Sequence, residues 1–152
     1  EADTIEGAKG SGLVVTHVER KSRYTCLGKL EDKRAAVLSK VTCRVMAKIP
    51  AKLRKTMTAD NGKEFTEFKV IEQSLGMKVY FANPHSPWER GTNENTNGLL
   101  REYLQKGSDF RSITDERLAE IERLLNNRPR KCLNYRTPFE VFTASPGVAL
   151  QI

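Results

Sequence analysis

Alternating apolar and polar positions predict three strands in the N-terminal part of the chain. Residues 2–5 form a short extended run, and residues 13–18 and 24–30 are rich in β-formers. A Gly-rich turn over 7–12 and a charged turn over 19–22 separate these runs. Three sequential strands with tight connections predict an antiparallel meander.

The remaining chain alternates between helical and strand patterns. Apolar residues at helical spacing predict helices over 32–47, 65–75, 92–105 and 114–126, with Gly76 and Pro129 as stop signals. Further strands are predicted at 55–59 and 78–82. The order β-β-β-α-β-α-β-α-α predicts an α/β fold with a five-stranded mixed sheet and helices on both faces. A ribonuclease-H-like fold has this order.

Composition narrows the class of protein. With 152 residues, the chain fits one domain over 1–152, and its start without Met leads us to expect a fragment of a longer protein. It shows neither a membrane-length apolar run nor a signal peptide. Cys26, Cys43 and Cys132 are odd in number and widely spaced, which favours a reducing compartment over a disulfide framework. The net charge of +7 favours a polyanionic partner or simply aids solubility.

Three acids are candidates for catalysis. Asp60 follows a predicted strand in a Thr-Ala-Asp-Asn-Gly segment, and Glu94 opens a predicted helix in a Thr-Asn-Glu-Asn segment, with thirty-three residues between the two acids. Asp3 lies within the first predicted strand, with Ile5 on the same face. Acids at the ends of different elements can form a carboxylate cage for divalent cations, which suits phosphoryl transfer.

Each acid also has a simpler interpretation. Asp-Asn-Gly is a favoured turn sequence, so the role of Asp60 can be limited to stabilising the turn. An acid in the first helical turn, such as Glu94, interacts favourably with the helix dipole and stabilises the helix by about 0.3–1 kcal/mol. Glu1 or Glu6 can replace Asp3 as the relevant acid of the first strand. The asparagine-rich run around Glu94 is poor in helix formers, which favours a ligand-facing role.

The candidate ligands favour hard cations. Carboxylates suit Mg²⁺ or Mn²⁺, whereas His17 and His85 are too few and badly placed for a His-rich zinc site. On its helix, Glu94 shares one face with Asn97 and Arg101, while leucines occupy the opposite face.

Several stretches resemble the catalytic cores of DDE transposases and retroviral integrases, and most of all the bacterial insertion-sequence transposases of the "thirty" family. The resembling stretches are residues 1–5, 18–24, 58–65, 86–101, 126–131 and 137–142. The resemblance implies a ribonuclease-H-like fold with Asp3, Asp60 and Glu94 as the metal-binding catalytic triad. It further implies two Mg²⁺ or Mn²⁺ ions when DNA is bound, and a cytoplasmic bacterial protein. Glu89 departs from the Gln that is usual there, which can weaken DNA approach.

Seven basic or polar residues are predicted to contact DNA. They are His85, Arg90, Asn97, Arg101, Arg128, Arg130 and Lys131. The simpler interpretation is that these side chains are solvated or, after the last long helix, that they stabilise its C-terminus. Trp88, in the proline-containing loop before the third predicted helix, is predicted to pack into the core.

The resemblance implies metal-dependent DNA cleavage followed by strand transfer, in which a 3′-hydroxyl attacks target DNA. The partners would be element ends and target DNA, together with further copies of the chain, and no membrane. Two alternatives stay open: a ribonuclease-H-like nuclease without strand transfer, and a catalytically silent DNA-binding remnant of a transposase.

Overall fold

The computed structural model describes residues 1–84 and 86–144, in which five strands and five α-helices are present. The strands are β1 (Ala2–Glu6), β2 (Leu13–Val18), β3 (Thr25–Leu30), β4 (Thr56–Ala59) and β5 (Lys78–Phe81). The α-helices are α1 (Ala35–Met46), α2 (Phe68–Leu75), α3 (Gly91–Leu100), α4 (Asp115–Asn126) and α5 (Pro138–Thr143). The predicted element order is confirmed, and α5 is additional. No helix among these residues is long and apolar enough to cross a membrane.

The first three strands form the predicted antiparallel meander in the order β1-β2-β3. Thr16 of β2 stands opposite Asp3 on one side and opposite Leu27 on the other. All six residues of β2 are buried, because this central strand is covered on both faces. The register places Asp3 beside the centre of the sheet.

The prediction of one continuous five-stranded sheet is wrong for the described residues. Strands β4 and β5 form a separate parallel pair, in which Thr56 stands opposite Lys78. Glu1 and Val18 form a hydrogen-bonded pair of the β1–β2 ladder. Hydrogen-bonded and non-hydrogen-bonded pairs alternate along an antiparallel ladder, so the Thr4 N–H points away from β2, toward the side of β4. The Asp3 carboxylate accepts that N–H at 2.8 Å. This donor is therefore not offered to β4 as a ladder partner.

Helices cover both faces of the meander, as predicted. Leu13 and Val15 of β2 belong to a core that includes residues of α1, α2 and α5. Val14 belongs to a second core with Ile5 of β1 and residues of α3 and α4, among them Leu100. Neighbouring residues of β2 thus serve opposite faces, as the alternation of a strand requires.

Side chains of α4 bind the free edge of β3. Asn126 accepts the Thr25 N–H and donates to the Thr25 carbonyl, both at 2.8 Å. Glu122 accepts the Leu27 N–H at 2.7 Å, and burial raises the pKa of this carboxyl. An exposed edge would invite pairing with another chain, so these bonds protect the sheet.

Two helix boundaries differ from the predictions. Helix α3 ends at Leu100, not at residue 105, because its asparagines and Gly98 are poor helix formers and its last bonds tighten to the i+3 pattern. Helix α5 begins with a capping box between Thr137 and Glu140, and Pro138 is its first helical residue. The Thr-Pro-x-Glu pattern at 137–140 is the sequence signal for this additional helix.

Candidate active site

Asp3 and Asp60 approach the same arginine. Arg90 Nη1 lies 3.3 Å from Asp3 Oδ1 and 3.9 Å from Asp60 Oδ2. The acids come from β1 and from the residue after β4, and Arg90 directly precedes α3. Three elements remote in sequence therefore meet at one place, and two of the three predicted metal ligands lie there.

The Asp3 carboxylate is held in a fixed orientation. Its Oδ1 accepts the Thr4 N–H at 2.8 Å, and its Oδ2 accepts Asn97 Nδ2 at 3.0 Å. Burial raises the pKa of Asp3, and the charge of Asp60 adds to that effect. The Thr4 hydrogen bond and the Arg90 charge act in the opposite direction without cancelling it. The charge of Asp60 and the low solvation both disfavour the ionised form of Asp3, and a bound cation would offset these two effects.

Asp60 serves both a turn and the site. Its Oδ1 accepts the Gly62 N–H at 3.0 Å, as in the turn that the sequence favours, while Oδ2 is the atom near Arg90. Asn61 Nδ2 donates to the Ala82 carbonyl at 2.6 Å and ties this turn to the segment after β5. The turn interpretation and the ligand interpretation are therefore compatible, because each uses a different oxygen.

Glu94 is exposed in the first turn of α3, one turn before Asn97. Residues three apart on a helix are neighbours on its surface, so Glu94 lies beside the residue that binds Asp3. Among the described residues, however, no three His, Cys, Asp or Glu side chains are grouped closely enough to hold a metal ion. The three-acid site therefore stays a prediction.

The asparagines of α3 anchor this helix to the sheet. Asn93 is fully buried, and its Oδ1 accepts the Thr16 hydroxyl at 2.8 Å. Its backbone N–H donates to Glu1 Oε2 at 2.6 Å. Thr16 also contacts Asn97 Oδ1 at 3.0 Å. Within the asparagine-rich run, Asn93 thus has a structural role and does not face a ligand. Asn97 holds the Asp3 carboxylate in position.

The other residues predicted to bind DNA occupy varied positions. Arg101 donates to the Glu6 carbonyl at 3.0 Å and lies over the Phe110 ring. Arg128 pairs with Glu102 at 2.7 Å on the surface. The remaining three are Arg130, half-buried with a bond to the Leu125 carbonyl; Lys131, exposed; and His85, which lies outside the described residues.

The prediction that Trp88 packs into the core is wrong, since this side chain is 74% exposed. The short 3₁₀ helix Pro87–Arg90 holds it at the surface, beside the start of α3. An open groove of about 570 Å³ runs past Trp88, Arg20, Arg23 and Asn95. The sequence carried one signal for this groove: an aromatic residue in a loop rich in polar residues.

A smaller cavity of about 280 Å³ adjoins Asp60. Asp60, Asn61, Asn83, Ser86 and Arg90 contribute to its lining. Arg90 therefore borders both the acid pair and this cavity.

The oxygen atoms of Asp3 and Asp60 already face a cation, the guanidinium of Arg90, so the donor set fits a hard divalent ion.

Several curated relatives of the chain are transposases of bacterial insertion sequences. The chain is 45% identical over 142 residues to the transposase for insertion sequence element IS4351 of Bacteroides fragilis, covering 93% of this chain and 43% of the relative. It is 42% identical over 150 residues to transposase InsI for IS30A of Escherichia coli K12, covering 99% of this chain and 38% of the relative. The chain thus spans about two fifths of the length of these relatives. No protein-family model matches it.

Similar solved structures include the core of an integrase and a chain of an intasome complex. The catalytic core domain of BIV integrase superposes with a TM-score of 0.71 at 18% identity, covering 99% of this chain and 96% of that one. A chain of the simian T-cell lymphotropic virus intasome, in complex with a PP2A regulatory subunit, gives 0.73 at 17% identity and covers 100% and 55%. At these identities the likeness shows the fold alone, a ribonuclease-H-like α/β fold.

Proposed function

Because the homologues of this chain are IS30-family transposases, we propose that it is a transposase catalytic core that cleaves DNA and transfers strands with divalent metal. The observation that carries the proposal is the approach of Asp3 and Asp60 to one cationic group at the start of α3. Glu94, exposed in the first turn of that helix, is the proposed third ligand.

Each residue has a distinct task in this proposal. Asp3 and Asp60 supply oxygen ligands from rigid positions, and Glu94 completes the site from the helix. Asn97 holds Asp3 in orientation through its 3.0 Å hydrogen bond. When bound there, Mg²⁺ or Mn²⁺ ions would supply charge stabilisation to the attacking and leaving oxygens of an in-line displacement.

DNA is the proposed partner. A net charge of +7 favours a polyanion through counterion release. Arg90 lies beside Asp3 and Asp60 and is proposed to bind phosphate there. Arg101, Arg128, Arg130, Lys131 and His85 would extend the contact. Assembly into an oligomer on DNA ends is part of the same proposal, supported by the intasome among the similar structures.

The two alternatives remain distinct outcomes. A nuclease without strand transfer shares the fold and would need the same acids. A silent remnant is favoured by one observation, that no three acids are grouped for a metal among the residues described. The proposal differs from both in predicting joined DNA products.

The test is a cleavage and strand-transfer assay with the longest natural polypeptide that contains this chain, element-end DNA, and Mg²⁺ or Mn²⁺. Asp60→Asn and Glu94→Gln should each abolish cleaved and joined products without unfolding the protein. Each substitution replaces a carboxylate oxygen by a neutral amide of the same shape and so removes one ligand of the proposed metal site. Glu120→Gln, an exposed helical acid paired with Arg117, is the matched control and should stay active.

Three results would contradict the proposal in different ways. Retained cleavage in Asp60→Asn or Glu94→Gln would refute the ligand assignment. Cleavage of DNA or of RNA–DNA hybrid without joined products would favour the nuclease. Metal-independent DNA binding without cleavage would favour the silent remnant.

A further inference from the structure

Arg90 occupies the place between the two acids where a metal ion would bind. Its Nη1 is within 4 Å of both Asp3 and Asp60, and its side chain is only 20% exposed. A partly buried cation between two carboxylates reduces the repulsion between them. Arg90 therefore does, in the absence of metal, what a divalent cation would do in the proposed active site.

The contact is looser than a strong ion pair. Charge-assisted N–H···O bonds are typically about 2.7–2.9 Å long, and arginine commonly binds a carboxylate with two parallel bonds. The two Arg90 distances, 3.3 and 3.9 Å, are longer and involve a single nitrogen. The buried Nε of Arg90 has no hydrogen-bond partner within residues 1–84 and 86–144. Part of the donor capacity of Arg90 is therefore unused in this position.

The structure also provides an alternative place for the guanidinium. Arg90 lines the 280 Å³ cavity beside Asp60, and the other lining residues are Asn61, Ala82, Asn83, Pro84 and Ser86. This cavity is open to solvent, so a reoriented Arg90 guanidinium would be accessible to a ligand. The planar guanidinium suits bidentate recognition of phosphate.

We propose that Arg90 is an internal counter-cation, which a divalent ion displaces and a DNA phosphate then binds. This inference rests on the proposed function and adds a coupling between metal and DNA. Metal repels Arg90 from the acids, while a phosphate stabilises Arg90 outside them. Each ligand therefore promotes the binding of the other, and linkage makes the effect reciprocal.

The proposal predicts how the chain binds Mn²⁺. Without DNA, Arg90→Gln should bind Mn²⁺ about tenfold more tightly than the unmodified chain, a factor within the usual range of coupling between sites. A short DNA duplex should tighten Mn²⁺ binding by the unmodified chain and do so less in Arg90→Gln. Asp60→Asn should abolish the binding in both backgrounds.

The measurement is a Mn²⁺ titration of the chain followed by the electron paramagnetic resonance signal of free Mn²⁺, which does not depend on activity. Arg117→Gln removes the same charge from an exposed ion pair on α4 and is the matched control, with unchanged Mn²⁺ affinity expected. Circular dichroism verifies folding. If Arg90→Gln does not fold, Arg90→Met keeps the apolar stem without the charge and takes its place.

The outcomes separate this inference from the proposed function. Mn²⁺ binding that requires Asp60 but is equal in the unmodified chain, Arg90→Gln and Arg117→Gln would overturn the role of Arg90 and leave the metal site intact. No Asp60-dependent Mn²⁺ binding in any variant, with or without DNA, would refute the proposed metal site and the inference together. A tighter Mn²⁺ affinity in Arg117→Gln equal to that of Arg90→Gln would refute the counter-cation role, because net charge alone would then suffice.

Discussion

Protonation of His17 should destabilise the strand pair that carries Asp3. His17 lies in β2, opposite Ala2, and is 5% exposed. Its Nε2 contacts the Thr42 hydroxyl at 3.3 Å. Burial, and secondarily the positive amino group of Glu1, lower the pKa of His17 from 6.5 to about 3. The folded protein therefore holds this imidazole neutral in a pH range where the unfolded chain protonates it.

The direction and size of the effect follow from linkage. Below pH 6.5 the unfolded state binds a proton at His17 that the folded state excludes, so stability falls as the pH falls toward 3. With these two pKa values, the loss between pH 8 and pH 5 is about 2 kcal/mol of unfolding free energy. That is a large part of the roughly 5–15 kcal/mol that stabilises a typical domain.

The assay is urea unfolding of the metal-free chain at pH 8 and pH 5, comparing the unmodified chain with His17→Gln. The unmodified chain should lose about 2 kcal/mol more than His17→Gln over this interval. Asp3, whose raised pKa has the opposite sign, contributes equally to both chains and cancels in the comparison. His85→Gln controls for the loss of a histidine. Equal losses in the unmodified chain and His17→Gln would refute the assignment of the acid sensitivity to His17.

Two further predictions concern the site. Asp3→Asn should raise the melting temperature of the chain in EDTA at neutral pH. The reason is that burial raises the pKa of Asp3 and so disfavours its charged form. A lower melting temperature in scanning calorimetry would contradict this prediction. Trp88 is the single tryptophan, so its fluorescence should be quenched when single-stranded DNA stacks on it, while Trp88→Phe should change stability by no more than about 0.5 kcal/mol. Unquenched emission at a DNA concentration that saturates an anisotropy titration would show that Trp88 does not contact DNA.

Local patterns predicted the elements of the fold well. The period of two in β1 separates Ala2, in one core, from Ile5, in the other, and places Asp3 on the side of α3. The cap at Thr114 and the left-handed Gly76 mark helix ends that the sequence also marks. These features depend on residues a few positions apart, whose steric and hydrogen-bonding preferences act locally.

Predictions that depended on distant partners were less successful. Trp88 is apolar and would usually be buried, but its place at the surface is set by how the loop meets the start of α3. Asn93 looked like a ligand-facing amide and is instead fully buried against Thr16. Burial of a polar side chain requires a specific partner, and in this case the partner lies 77 residues away.

The sequence by itself determined the order of strands and helices and the placement of Asp60 at the end of a strand. Only the tertiary structure decided that β4 and β5 pair apart from the meander, and that Asp3 and Asp60 share Arg90. Periodicity specifies which face of an element is apolar, but it does not specify which elements meet. The acids come together because two strands and the loop before α3 pack at one place, and that packing is a property of the whole core.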